Sequence, residues 1–267
     1  MASTYRWIAS IVVLALLTAA CSVGATEGSS RSEEVRLYVL AAASLTDAFR
    51  EIQTRYEAAH PGVRLVPTFA STGRLKQQIE RGAPADLFLS AGAEEMEELV
   101  RKNLIDSRFQ TDLLQNDLVL IGPKGSDLQG LDDLASHRVK RIAIGHPESV
   151  PAGTYAEEAL KRVGLWGRLE RKLVFAADVR QVLAYVETGN ADAGIVYRTD
   201  SRQSRDISVL AEIPSDGHRP IVYPLGVVKQ TKHPSEARAF YRWLQEEEAL
   251  SIFEKHGFKG VAANSTK

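Results

Sequence analysis

Residues 35–59 read VRLYVLAAASLTDAFREIQTRYEAA, and this stretch decides the fold class of the chain. Its first six residues alternate and are rich in strand-forming types, which predicts a β-strand at 35–40. Apolar residues then recur at three- and four-residue intervals, which predicts an amphipathic helix at 45–59. Small uncharged residues at 41–44 join the two elements. A strand that passes directly into a helix indicates the first half of a βαβ unit.

The same order of strand and helix repeats along the chain. Further strands are predicted at 63–69, 86–90, 118–121, 141–144, 173–175, 193–197, 207–213 and 221–229, and further helices at 75–81, 94–102, 155–163, 179–187, 235–246 and 249–256. We therefore expect an α/β protein whose sheets are mostly parallel and flanked by helices. The roughly 230 residues from 35 to the end are longer than one typical domain, which favours two lobes. Their expected bounds are 35–116 plus 229–267 for the first lobe and 117–228 for the second.

The N-terminal segment has the pattern of an export signal. Its apolar core at 8–17 is too short to span a bilayer as a mature helix. Small residues follow and end at Cys21, the only cysteine, in a run that resembles a bacterial lipobox. We expect residues 1–21 to be a lipoprotein signal, Cys21 to carry lipid, and 22–34 to be a flexible tether. An ordinary signal cleaved near Ala25 is the alternative.

Composition excludes several classes of function. The formal net charge is −1, without a basic block, so nothing indicates binding to nucleic acid. The sequence has no nucleotide-binding loop, no serine-hydrolase elbow and no zinc-protease motif. The six histidines show no metal-ligand spacing. An exported enzyme on an α/β scaffold stays open as an alternative, because a catalytic triad depends on geometry and not on order.

Four junctions share the design of residues 41–44. They lie at 41–44, 69–73, 147–153 and 176–179, and each joins a strand-forming stretch to a helix through small or uncharged residues. A helix start offers unpaired N–H groups and a partial positive charge. Several starts that converge would hold a small oxyanion without any cationic side chain. The sequence thus favours a protein that binds a tetrahedral anion.

Six residues at or near these strand ends are candidate donors to such an anion. Hydroxyl groups come from Ser44, Ser71, Thr72 and Tyr197, and main-chain N–H groups from Ala152 and Val179. Each also has a simpler interpretation, such as a helix cap for Ser44 or a core aromatic for Tyr197.

Carboxylates would change the preferred anion. Neutral donors match a fully ionised oxyanion, which only accepts hydrogen bonds, whereas a carboxylate would favour a protonated anion such as hydrogen phosphate. Four aspartates are therefore of interest: Asp47, Asp86, Asp178 and Asp192. We expect Asp47 to lie in a first helical turn and Asp178 to cap a helix. If one of the four faces the ligand, phosphate becomes the better prediction.

These motifs together resemble one known family. The resemblance is carried, in order, by AAASLTDAF at 41–49, FASTG at 69–73, GAPADLF at 82–88, PESVPAGTYA at 147–156, DVR at 178–180 and GIVY at 194–197. The chain from about residue 35 onward is similar to the periplasmic molybdate-binding proteins of ABC transporters, the ModA family.

The resemblance implies a type II periplasmic-binding-protein-like fold with molybdate or tungstate in the interlobe cleft. By position, the contacts fall on five residues: Ser44, Thr72, Ala152, Val179 and Tyr197. Many members have serine where this chain has Thr72, and Ser71 could share that role. The resemblance also implies no cofactor, no direct metal ligand, a monomer, and a membrane permease with its ATPase as partners. The stretch 83–86 looks structural in this family. Sulfate and phosphate stay open as alternative ligands.

Overall fold

The computed structural model describes residues 34–261. Its eleven strands are β1 Val35–Ala42, β2 Val63–Ala70, β3 Leu87–Leu89, β4 Ile105–Gln115, β5 Leu118–Pro123, β6 Ile142–Gly145, β7 Leu173–Ala176, β8 Ala193–Tyr197, β9 Ile207–Glu212, β10 Val222–Val228 and β11 Lys259–Gly260. Its nine helices are α1 Thr46–Ala59, α2 Thr72–Glu80, α3 Ala93–Arg101, α4 Pro151–Arg162, α5 Trp166–Leu169, α6 Val179–Glu187, α7 Arg198–Ser201, α8 Pro234–Trp243 and α9 Glu247–Lys255. The expected signal and tether at 1–33, with Cys21, lie outside the described residues.

Two sheets divide the structure into two lobes. The first lobe is built on a six-stranded sheet in the order β11-β4-β10-β3-β1-β2, and the second on a five-stranded sheet in the order β7-β6-β8-β5-β9. Helices α8 and α9 pack on the first lobe, where α8 contacts β1 and β10, and α9 contacts α1. The last two helices thus lie with the first lobe. The α/β class expected from the sequence is confirmed.

The sheets are mixed, and this corrects the expectation that they are mostly parallel. Strands β1, β2 and β3 pair in parallel, as do β6, β7 and β8. Strand β10 runs antiparallel to β3 and β4, and β5 runs antiparallel to β8 and β9. The reason is topological. Strands β5 and β10 bring the chain into a lobe from the other one, so they start at the edge where the parallel strands end.

The second crossing between lobes comes earlier than the sequence predicted. Residues 222–228 were expected in the second lobe, but strand β10 lies within the first sheet between β3 and β4. The chain therefore returns through residues 213–221. The first crossing lies at Asn116 and Asp117, between β4 and β5, close to its predicted place. Strand β4 itself was not predicted, because its sequence IDSRFQTDLLQ mixes polar and apolar residues without regular alternation.

The opening stretch folds as its pattern predicts. Phe49, Ile52 and Tyr56 of α1 are at most 1% exposed, so their shared face forms part of the core of the first lobe. The ring of Tyr56 lies 4.5 Å from that of Phe240 in α8. Strand β1 pairs with β2 over its whole length, from Val35 to Ala42. The small residues after β1 are thereby fixed at the carboxyl edge of the sheet.

Candidate functional site

The two lobes enclose a narrow cavity at the carboxyl ends of their parallel strands. All six candidate donors line it: Ser44, Ser71, Thr72, Ala152, Val179 and Tyr197. The other lining residues are Ala42, Ala43, Ala70, Ala91, Val150, Pro151 and Asp178. Ligands of open α/β sheets lie beyond this edge of the strands. The structure thus brings together candidate donors that are up to 153 positions apart in the sequence.

The first lobe presents hydroxyl groups to the cavity. Ser44 lies in the single turn between β1 and α1, and its Oγ is 3.0 Å from the Tyr223 hydroxyl. Thr72 begins α2, and its Oγ1 accepts the N–H of Ala91 at 3.1 Å, which leaves the hydroxyl proton of Thr72 free to be donated. The Oγ of Ser71 is buried and has no hydrogen-bond partner within residues 34–261. Ser71 is therefore a third hydroxyl available to a ligand.

The second lobe presents main-chain N–H groups from two helix starts. Ala152 lies in the first turn of α4, directly after Pro151. A first-turn N–H has no partner within its helix. The close fit of this turn on β6 requires glycine at position 153, because a Cβ there would lie 2.0 Å from the carbonyl oxygen of Gly145. This contact fixes the start of α4 at the end of its sheet.

The start of α6 is held by its own cap. The carboxylate of Asp178 accepts the N–H of Gln181 at 3.0 Å, which confirms Asp178 as the predicted N-cap. Gln181 in turn accepts the N–H of Ala177 at 2.7 Å through its Oε1. The N–H of Val179, the first residue of α6, belongs to the unpaired donors of the first turn.

Tyr197 closes the cavity from the second lobe. It ends β8 and is 1% exposed, and its hydroxyl lies 3.4 Å from the carbonyl oxygen of Ala91 in the first lobe. Burial raises the pKa of Tyr197 well above its ordinary value, so the hydroxyl keeps its proton. Tyr197 can therefore act only as a neutral donor or acceptor near neutral pH.

No lysine or arginine lines this cavity within the described chain. Arg180, which follows the lining residue Val179 in α6, is paired with Asp47 of the first lobe and has its Nε 2.9 Å from Asp200 Oδ1. Asp200 is fully buried. Burial raises its pKa to about 7, although the positive charge of Arg180 acts in the opposite direction. Arg180 thus lies between two acidic side chains, Asp47 and Asp200, and not in the cavity lining.

The four aspartates of interest have separate roles. Asp47 lies in the first turn of α1, as predicted. Asp86 accepts the N–H of Tyr38 at 2.7 Å and also pairs with the Thr231 hydroxyl, which confirms its structural role. Asp192 accepts the N–H groups of Lys140 and Arg141 at the far end of the second sheet. Only Asp178 lines the cavity, and one of its oxygens is taken by the cap.

Direct contacts across the cavity show that the lobes are closed. The N–H of Gly73 donates to the carbonyl oxygen of Ser149 in the second lobe at 3.0 Å. A Cβ on Gly73 would lie 2.8 Å from both the Cα and the carbonyl oxygen of Ser149. The Arg180–Asp47 ion pair and the Tyr197–Ala91 contact also join the lobes. Closure therefore brings donors of both lobes around one small volume.

Two buried polar residues next to the cavity had no functional prediction from the sequence. Tyr223 of β10 is 2% exposed and contacts Ser44, and Asn116 at the first crossing is 7% exposed and contacts Tyr223. Tyr223 resembles an ordinary strand aromatic in the sequence. The polar pair Asn116 and Asp117, directly before the apolar strand β5, is the one sequence signal that a hydrogen-bonded residue lies there.

A larger cavity, of about 320 Å³, lies away from the candidate donors. Tyr38, Asp86 and Lys232 are among its lining residues, none of which contacts the interlobe cavity. Among residues 34–261, no cluster of histidine, cysteine or acidic side chains could hold a metal ion. No helix in the same range is long and apolar enough to cross a membrane.

Comparisons with known proteins agree with this architecture. The profile of the family described as bacterial extracellular solute-binding protein matches residues 37–259. The molybdate-binding protein ModA of Escherichia coli is 41% identical over 240 residues, which cover 88% of this chain and 93% of that protein. A Bacillus subtilis protein, YvgL, whose name assigns it provisionally as an ABC transporter substrate-binding lipoprotein, is 46% identical over 91% of this chain and 93% of its own.

A solved structure of a molybdate-binding protein has the same fold. The periplasmic molybdate-binding protein of Azotobacter vinelandii superposes with a TM-score of 0.76 at 25% sequence identity. The match covers 83% of this chain and 98% of that one. The type II fold expected from the sequence is thereby confirmed.

Proposed function

The chain belongs to the family of bacterial extracellular solute-binding proteins, and we propose that it captures molybdate outside the cytoplasm for uptake by an ABC transporter. The observation that carries this proposal is an interlobe cavity lined by neutral donors from both lobes. The similarity to ModA of Escherichia coli supports molybdate as the ligand. Membership of this family also means that the chain is a binding protein and not an enzyme, in agreement with the missing catalytic motifs.

The chemistry of the donors suits a fully ionised tetrahedral anion. Molybdate carries only acceptor oxygens near neutral pH, so each oxygen can take a hydroxyl or an N–H proton. We assign Ser44, Thr72, Ala152, Val179 and Tyr197 as its contacts, with Ser71 as an additional donor. The first turns of α4 and α6 add the partial positive charge of their helix dipoles. The same residues hold the anion without any direct bond to the metal atom.

Other anions are distinguished by size and by protonation. Tungstate has nearly the size of molybdate and the same charge, so we propose that it binds as well. Sulfate is smaller, and phosphate carries a proton near neutral pH. Among residues 34–261, Asp178 is the one carboxylate that lines the cavity and could accept that proton. Because the Oδ1 of Asp178 already accepts the N–H of Gln181 in the helix cap, phosphate stays the second candidate ligand and does not become the first.

Calorimetry tests the ligand. The protein without residues 1–21 would be titrated separately with molybdate, tungstate, sulfate and phosphate. We expect tight binding of molybdate and tungstate, and weak or no binding of the other two. Tight binding of phosphate would point to Asp178, and an Asp178→Asn variant should then lose phosphate selectively. If none of the four anions binds, the proposed function is wrong.

We also propose that the protein is a lipid-anchored monomer that delivers its ligand to a membrane permease and ATPase. The lipobox-like run that ends at Cys21 supports the anchor, as does the lipoprotein in the name of YvgL. Fractionation of cells that express the full chain would test it. Wild-type protein should sediment with membranes, and a Cys21→Ser variant should not. Equal membrane association of the two would contradict lipid attachment at Cys21.

A further inference from the structure

A chain of hydrogen bonds runs behind the cavity from the lobe crossing to Ser44. It joins four buried polar side chains: Ser44, Asn116, Thr199 and Tyr223. The amide nitrogen of Asn116 lies 2.9 Å from the Thr199 hydroxyl and 3.2 Å from the Tyr223 hydroxyl. The Tyr223 hydroxyl lies 3.0 Å from Ser44 Oγ. The last member, Ser44, is also a lining residue of the cavity.

The contacts of Asn116 decide which groups donate and which accept in this series of hydrogen bonds. The amide side chain of asparagine can be turned either way, so its hydrogen bonds decide which end is oxygen. The N–H of Asp117 donates to Asn116 Oδ1 at 2.9 Å, and that contact requires an acceptor. The other end of the side chain is therefore the NH₂ group, which donates to Thr199 and Tyr223. Both of its protons are used.

The donor role of Asn116 in turn sets the donor and acceptor roles of Tyr223 and Ser44. Because the Tyr223 hydroxyl oxygen accepts a hydrogen bond from the Asn116 amide, its own proton can be donated to its other neighbour, Ser44 Oγ. Burial raises the pKa of Tyr223 well above its ordinary value, so this proton is not lost at neutral pH. A serine hydroxyl that accepts one hydrogen bond still has one proton to donate. With Tyr223 on one side, that proton is directed to the cavity on the other.

We infer that Asn116 and Tyr223 are positioning residues that make Ser44 a hydrogen-bond donor to the bound anion. This inference rests on the proposed function, because it concerns the same site. An isolated serine could rotate and present a lone pair, which would accept a protonated oxygen equally well. The fixed donor excludes an anion that carries a proton at this position. Asn116, which lies at the first crossing between the lobes, thus contributes to selection against hydrogen phosphate.

A double-mutant cycle tests whether Tyr223 acts through Ser44. We expect Tyr223→Phe to weaken molybdate binding about tenfold in the wild-type background, since Ser44 loses the partner that orients its proton. In a Ser44→Ala background the same change should weaken binding less than about twofold. Thr199→Val is the matched control, because it removes another partner of Asn116 but leaves the path to Ser44 intact. Its affinity should stay within about twofold of wild type.

A second variant covers the case in which Tyr223→Phe does not fold. Asn116→Leu removes the donor that sets the polarity, and its effect on molybdate binding should also disappear in the Ser44→Ala background. Thermal unfolding of each variant shows whether the fold is kept. Equal losses in both backgrounds would mean that the residues act structurally, and would overturn the inference while wild-type binding still supports the proposed function. Absence of molybdate binding by the wild type would overturn both.

Discussion

The two lobes contribute different kinds of donor to the same cavity. The first lobe offers the side-chain hydroxyls of Ser44 and Thr72. The second offers main-chain N–H groups at Ala152 and Val179, with Tyr197 as its one hydroxyl among the candidate donors. A main-chain N–H is fixed by its helix, whatever side chain the residue carries. A hydroxyl proton rotates, so it needs a neighbour such as Tyr223 or the N–H of Ala91 to direct it. The first lobe therefore depends on side-chain identity, and the two helix starts of the second lobe depend on backbone position.

The donors of the two lobes can act together only if both sets reach one anion in the closed protein. Gly73→Ala is the substitution that should prevent this. The new Cβ would lie 2.8 Å from the backbone of Ser149, so the closed arrangement could not form without a backbone shift. We expect molybdate affinity to fall about a hundredfold, which corresponds to a closed form reduced to about one per cent of the population. Calorimetry measures the affinity, and small-angle scattering with excess ligand measures closure.

Gly167→Ala is a suitable control for this substitution. Gly167 lies in α5, and a Cβ there would have open space around it. Its affinity should equal that of the wild type. If Gly73→Ala also binds and closes like the wild type, the interlobe contact at Ser149 is not part of the ligand-bound form, and the two donor sets need not act together.

A pair of substitutions sharpens the difference between the lobes. Ser44→Ala removes a hydroxyl donor, and a hydrogen bond to a charged group is lost with it, so molybdate affinity should fall about 10- to 100-fold. Val179→Ala keeps the main-chain N–H and should change affinity less than about threefold. Both variants would be titrated under the same conditions. A loss at Val179→Ala as large as that at Ser44→Ala would show that the helix starts of the second lobe also depend on side-chain identity.

Local features of this site could be predicted from the sequence because each lies within one strand–helix junction. The helical spacing after residue 44 and the small residues at each strand end are patterns among residues close in sequence. A general rule for α/β sheets then places the carboxyl ends of the parallel strands at one edge of the sheet. The six candidate donors do meet at one cavity. Which anion they hold depends on distances between lobes, and no local pattern contains those distances.

Features that depend on distant pairs could not be predicted. Ser44 and Tyr223 are 179 residues apart, and Asp47 and Arg180 are 133 apart. The Asp47 prediction gave its helix position correctly but not its partner in the other lobe. The sheets were expected to be mostly parallel because strand–helix alternation was followed through the whole chain. The two strands that enter a lobe from the other one, β5 and β10, do not obey that alternation.

The Arg180–Asp47 ion pair is the smallest expected contribution to closure. It joins the lobes beside the cavity, but both side chains are about a quarter exposed, so solvent and salt screen it. Asp47→Asn should weaken molybdate binding about two- to fivefold at low ionic strength and have little effect at 1 M salt. The control is Glu80→Gln, which breaks an ion pair with Lys102 inside the first lobe and should leave binding unchanged at either salt concentration. A loss that is the same at low and high salt would mean that Asp47 acts through the start of α1, next to Ser44. The position of the Ser44 hydroxyl would then depend on the first turn of α1 as well as on Tyr223.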